Sequence, residues 1–254
     1  MTFWDHLDEL RRVLIRIIIV WIFFFAGFFI GMPYLFDRYI LAPCNNNFIT
    51  YRILRAIVSK ILPHSGFLKE SFHVQLINIQ LGTPFFLHLS TAFWLALVCS
   101  MPFILWQLWG FIGPALYPKE RKSVRRIFFL GSIFFYTGAT LGYYLIFPLT
   151  LHFLSTYELS TLVPNQITLT SYMDNFFMLI LLMGLAFQLP LLLTLLHHIG
   201  ILSRNMLTSH RRHAIVLLMI LSAVITPTGD PFTMSIVALP LYLLYECSIA
   251  MMKK

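Results

Sequence analysis

The stretch VLIRIIIVWIFFFAGFFIGMPYLF, Val13–Phe36, decides the fold class. It is 24 residues long and carries one charge, Arg16. At 1.5 Å per residue such a helix reaches about 36 Å, enough to cross a hydrocarbon core of about 30 Å. The run is longer than the apolar part of an export signal, no small-residue cleavage site follows it, and acidic Asp5, Asp8 and Glu9 precede it. It therefore reads as a retained membrane anchor.

Outward from this anchor, the runs 84–105, 127–151 and 176–196 are of comparable character. Two further runs, 214–225 and 232–249, are shorter and are separated by the turn Pro227-Thr228-Gly229-Asp230-Pro231. The 12 residues of the fifth run reach only about 18 Å, so spans five and six are expected to be short, as a re-entering pair or a local thinning of the bilayer. With 13–36 these runs predict an all-α membrane protein of six transmembrane helices, one polytopic domain over 1–254. The composition agrees, because 11% charged residues is less than half the soluble norm of about 25% and 59% are hydrophobic. Between the spans, the first loop (37–83) is long and is expected to hold an amphipathic helix near Tyr51–Leu62. The second covers 156–175, and the third is only the turn around Asp230.

Lys and Arg fall unevenly on alternate sides of these spans. Thirteen lie at Arg11, Arg12, Arg16, within 119–126, at 204–212 and at Lys253 and Lys254, against five in the first loop. This places both termini in the cytoplasm. The same asymmetry accounts for the net charge of +8, and no nucleic-acid-reading motif accompanies it. Cys44, Cys99 and Cys247 are too far apart for a CxxC pair, and His197, His198, His210 and His213 flank a loop without acidic or thiol ligands, so neither disulfide nor metal is expected. Phosphate-loop, HExxH and GxSxG signatures are absent, which argues against an enzyme and against any cofactor.

The informative polar residues are carboxylates set among basic residues on the cytoplasmic face. Glu9 lies in His6-Leu7-Asp8-Glu9-Leu10-Arg11-Arg12, and Glu120 in the segment Phe111 to Arg121, FIGPALYPKER. As exposed local ion pairs each would contribute about 0–1 kcal/mol. Alternatively they form a receptor for a cationic peptide, since one carboxylate accepts two parallel bonds from a guanidinium. Within span four, Gln188 beside Pro190 is expected to face a concave, partly hydrated groove, the other reading being a glutamine that packs helices together.

HLDELRR, FIGPALYPKER, Phe187-Gln188-Leu189-Pro190 and Thr226-Pro227-Thr228-Gly229-Asp230-Pro231-Phe232, in this order and with this span count, resemble the TatC family, the polytopic core of the twin-arginine protein translocase. The resemblance covers nearly the whole chain. It implies a protein of the inner membrane that binds twin-arginine signal peptides of folded cargo, without ATP and driven by the proton-motive force. It implies that Glu9 and Glu120 bind the arginines, with His6, Leu10, Arg11, Phe111, Pro114 and Arg121 in the matching motifs. Partners would be single-span proteins of the TatA and TatB type, recruited beside spans five and six, in a larger self-associated complex. Gln188, Thr226, Asp230 and Met234 would contribute to that groove.

The chain departs from the family pattern at several places. Val13 stands where a second basic residue is common, Gln188 where glutamate is common and Met234 where glutamine occurs. Gly229 makes the turn one residue longer. The rival reading is a proton- or ion-coupled small-molecule transporter with His88, Gln188 and Glu246 along its pathway. Its weakness is the lack of paired inverted halves with broken helices.

Overall fold

The Val13–Phe36 run lies inside one longer helix, α1 (Phe3–Leu35), continued by a single wide turn at Phe36–Ile40, in a computed structural model that describes residues 3–61, 74–112, 118–157, 160 and 165–252. The helix begins ten residues before the apolar run, and Asp5, Asp8 and Glu9 fall near its start, the end of a helix that favours negative charge. Then come the outer amphipathic helix α2 (Ile49–Ile61), α3 (Thr83–Ile112), α4 (Pro118–Leu141), α5 (Phe147–Thr156), α6 (Leu169–Ala186), α7 (Leu189–His198), α8 (Arg204–Ser209), α9 (Arg211–Ile225) and α10 (Pro231–Met251). A wide turn at Gly142–Ile146 joins α4 to α5 in one continuous rod. The chain is a mostly helical, multi-pass membrane protein.

Among the described residues, five stretches are long and apolar enough to cross a membrane: Leu7–Cys44, Thr83–Phe111, Phe128–Thr156, Leu169–His197 and Pro231–Met251. Two expectations are thereby corrected. The sixth run is not short: α10 has 21 residues and reaches about 32 Å. The apolar run from Phe232 leaves out Pro231, which suits the first turn of a helix because it needs no N–H there, and ends two residues before Met251. The fourth run is not one straight helix, because Pro190 lacks the N–H a continuous helix would use and the rod breaks at Phe187-Gln188 into α6 and α7. By contrast α9, even with Arg211, Arg212 and His213 included, has 15 residues and reaches about 22 Å.

The ring contacts give the directions of packing. Phe29 lies on His88 and Trp21 on Phe93, so α1 and α3 run antiparallel. Trp109 lies on Phe128 and the Tyr136 hydroxyl donates to Cys99 O, so α3 and α4 are antiparallel too. α6 is the hub of the core: Tyr172, Met173, Phe176, Leu179 and Met183 are buried, and Phe147 meets Tyr172 and Phe176 edge to face at 5.2 and 5.1 Å. It approaches α4 closely because Gly138 has no side chain. A Cβ there would stand 2.6 Å from Met183 O and 2.7 Å from the Phe187 ring. A short parallel pairing, β1 (Leu76–Ile77) with β2 (Ile167–Thr168), ties the first loop to the segment before α6.

Prolines inside these rods leave carbonyls without helical donors, and other elements supply them. Pro33 gives no N–H to Phe29 O, and His88 Nε2 lies 2.8 Å from that oxygen. A carbonyl only accepts, so His88 carries its proton on Nε2. Pro148 likewise gives nothing to Tyr144 O, and the Thr50 hydroxyl of α2 donates to it.

Candidate functional site

Antiparallel packing brings the start of α1, the end of α3 and the start of α4 to one end of the bundle. Glu9 is half-buried one turn before Val13, which is 2% exposed, so both lie on the face of α1 turned to the protein. Leu10 is half-buried beside Glu9, while Arg11 and Arg12 are exposed. A charge at Val13 would be buried there, which explains why this chain tolerates valine at that position. Phe111 is half-buried in the last turn of α3. Glu120 lies in the first turn of α4, where the helix dipole favours a carboxylate, and Arg121 follows it. Pro114 and the side chains of His6, Glu120 and Arg121 lie outside the described residues. At the backbone level, then, the described residues of the two basic-acidic motifs share one end of the molecule.

The second group forms around the α9–α10 turn. Thr226 ends α9 and is buried. Gly229 takes φ +60°, the left-handed conformation that glycine adopts without steric cost, and its N–H bonds Thr226 O. Asp230 caps α10, accepting from Thr233 N at 2.8 Å and from the Thr228 hydroxyl at 2.5 Å. Partial burial by itself would raise its carboxyl, but these bonds more than offset that and hold it below the ordinary value. Met234, half-buried, follows in the first turn, and its N–H bonds Asp230 O.

Gln188 belongs to neither group. Its Nε2 donates to Gly131 O on α4 at 2.9 Å, so it packs two helices together where an open, hydrated groove was expected. Proline-broken backbone at 187–190 sets the side chain against α4, a pairing that no local pattern announces. His88 and Glu246 are similarly committed: His88 to Phe29 O, and Glu246 to Arg211 at 2.9 Å and to the Tyr242 hydroxyl at 3.2 Å. The three groups proposed to line a transporter pathway are each engaged with a different neighbour.

Sequence reading missed a polar cleft beside the turn. Thr228 lines it with Thr150, Asn165, Thr168, Ser171 and Asn175, around a volume of about 290 Å³. Thr150 Oγ1 and Asn175 Oδ1 are buried there without partners, as is Thr233 Oγ1 in α10. Thr150 sits in a run read as apolar span, and only folding places it beside Thr228. Among the described residues no cluster of His, Cys, Asp and Glu could hold a metal.

Comparison with known proteins agrees with this architecture. The family described as Sec-independent protein translocase protein (TatC) matches residues 5–240. The TatC protein of Deinococcus radiodurans is 36% identical over 248 residues, 97% of this chain and 84% of that protein. That of a Blattabacterium species is 33% identical over 251 residues, 98% and 94% of the two chains. Two crystal structures described as the twin arginine translocase receptor TatC, one of them in the detergent DDM, superpose with TM-scores of 0.70 and 0.73 at 29% identity. The first covers 96% of both chains, and the second covers 98% of this chain and all of the other. With the family model matched over residues 5–240, relatives more than 30% identical and the fold superposed over nearly its full length, this chain belongs to the TatC family of Sec-independent protein translocase components.

Proposed function

We propose that this chain is the signal-peptide receptor of a twin-arginine translocase, a transport protein of the inner membrane with both termini in the cytoplasm. One observation carries this reading: antiparallel packing gathers half-buried Glu9, Phe111 and the Glu120-bearing first turn of α4 at a single end of the bundle. Two carboxylates there meet the two guanidinium groups of a twin-arginine peptide by bidentate bonds. His6, Leu10, Arg11, Pro114 and Arg121 frame them within the same motifs. Folded cargo follows the bound peptide, and the proton-motive force drives transport.

Single-span partners of the TatA and TatB type dock along α9 and the turn at Thr226, Asp230 and Met234. Ile215, Val216, Leu217, Ile220 and Val224 are exposed along α9, an apolar surface suited to a partner helix or lipid. Its short length favours a partner that shares a thinned bilayer, and copies of the chain associate in a larger complex. The whole of 1–254 acts as one polytopic domain of six spans. The deciding measurement is affinity of the purified protein for a twin-arginine peptide against its twin-lysine counterpart. Glu9→Gln and Glu120→Gln keep size and lose charge. Each is expected to weaken the twin-arginine peptide about tenfold or more, as follows from ~1.5–3 kcal/mol per charge-assisted bond. Unchanged binding in both variants would refute the site.

A further inference from the structure

Helix α2 has three faces. Thr50, Tyr51, Leu54 and Val58 turn to the body of the protein, and all are buried or half-buried. Ile49, Ile53 and Ile57, four residues apart, form an exposed apolar stripe on one flank, 50, 55 and 48% accessible. The other flank carries Arg52 and Ser59, both exposed. Basic Arg52, Arg55 and Lys60 are accompanied by no acidic residue in the helix.

The contacts of α2 with the third membrane rod give the depth of each flank. Counted from Phe128, just past the basic 119–126 segment, a core of about 30 Å ends near residue 147. The Thr50 hydroxyl, on the flank of Ile53 and Ile57, donates to Tyr144 O, inside that limit. The Tyr51 hydroxyl, on the flank of Arg55 and Ser59, donates to Pro148 O at 3.1 Å, and its ring lies 5.9 Å from His152, at and beyond the limit. The isoleucine flank therefore faces the hydrocarbon and the arginine flank faces water. Tyr39, Tyr143 and Tyr144 stand at the same level, joined by a bond of 2.7 Å from Tyr143 Oη to Tyr39 O, as residues of a membrane interface do. Below them an open apolar furrow runs from Ile133 past Leu141 to Tyr144, whose ring stacks on Phe48 just before α2.

We propose that α2 is an interfacial helix that binds phospholipid of the leaflet opposite the 119–126 segment. Ile49, Ile53 and Ile57 lie among the first acyl carbons, Arg52 meets the phosphates, Lys60, on the isoleucine side at the end of the helix, extends its long stem up to them, and one acyl chain occupies the furrow below Tyr144. Basic amphipathic helices take up this position because apolar burial and attraction to anionic headgroups act together. The inference rests on the membrane-spanning rods and not on the receptor role, whose carboxylates lie at the other end of the bundle.

The test uses the full chain in nanodiscs of phosphatidylglycerol and phosphatidylcholine, with p-benzoylphenylalanine placed in turn at Ile53, Ile57 and Ser59. Lipid adducts several-fold more abundant at Ile53 and Ile57 than at Ser59 are expected. Equal yields at all three sites, or protein adducts in place of lipid at Ile53, would overturn the orientation. Native mass spectrometry is expected to show retained phosphatidylglycerol that is lost in Arg52→Gln/Lys60→Gln, and equal retention in that variant would overturn the headgroup contact. Twin-arginine peptide affinity is read in parallel and should not move, which separates failure of this proposal from failure of the receptor reading.

Discussion

At Pro33 and His88, two residues 55 positions apart in the sequence depend on each other. Proline withholds the N–H that Phe29 O would accept, and the imidazole supplies one. His88→Ala should cost about 1–3 kcal/mol by leaving that carbonyl unpaired. Pro33→Ala restores a backbone donor, so Pro33→Ala/His88→Ala should recover part of the loss. Thermal unfolding of the four proteins in detergent measures the coupling, and simple additivity would show the bond to be worth little. Asp230 gives a pH-dependent counterpart. Its carboxyl is held lower in the folded protein than its ordinary 3.8, so its contribution is complete above that value and is lost as pH falls through the lower folded one. The stability difference between the native protein and Asp230→Asn should stay constant near neutrality and close only in strong acid. Asp230→Ala, which removes the cap altogether, should cost about 0.5–2 kcal/mol at neutral pH, read from the melting temperature.

Helix packing depends on where side chains are missing as much as on where they are present. Gly138 lets α4 lie against the backbone of α6, and Gly138→Ala would press a methyl group on Met183 O and the Phe187 ring. We expect about 1–3 kcal/mol of destabilisation, seen as a lower melting temperature, whereas Gly27→Ala on α1, which meets nothing within 4 Å, should be near neutral. The same closeness brings Gln188 to Gly131 O, and it also explains why Gln188 does not line an open cavity. The apolar run 176–196 is evident from composition, but the break within it depends on α4 being present to receive the exposed polar groups. The amphipathic helix α2 was legible in outline near Tyr51–Leu62, and its true start at Ile49 follows from contacts with α5 and the wide turn before it.

For the molecule as a whole, the shortness of α9 is the dimension with the largest consequence. At about 22 Å against a core of about 30 Å, α9 as the proposed fifth span would hold the Thr226–Asp230 turn near membrane depth unless the bilayer thins. Spin labels at Thr228 and Gly229 are expected to show collision with lipid-soluble oxygen as well as with a water-soluble nickel chelate, more strongly with oxygen in thicker bilayers. Labels that report bulk water alone at every thickness would mean that the helix spans normally by extension through its basic end.

Much of this architecture is determined by the sequence alone, because a run of about twenty apolar residues is most stable as a helix across a bilayer. The carboxylate motifs stood out only through the family resemblance, because charge at a wet span boundary is ordinary and exposed ion pairs there contribute about 0–1 kcal/mol. The seating of Gln188 on Gly131 O, the rescue of Phe29 O by His88 and the cleft of Thr150, Asn175 and Thr228 were decided only by tertiary structure. Each depends on a partner far along the chain. Helix ends, freed carbonyls and buried hydroxyls are settled by which donor or acceptor another helix brings within reach, and hydropathy carries no record of that.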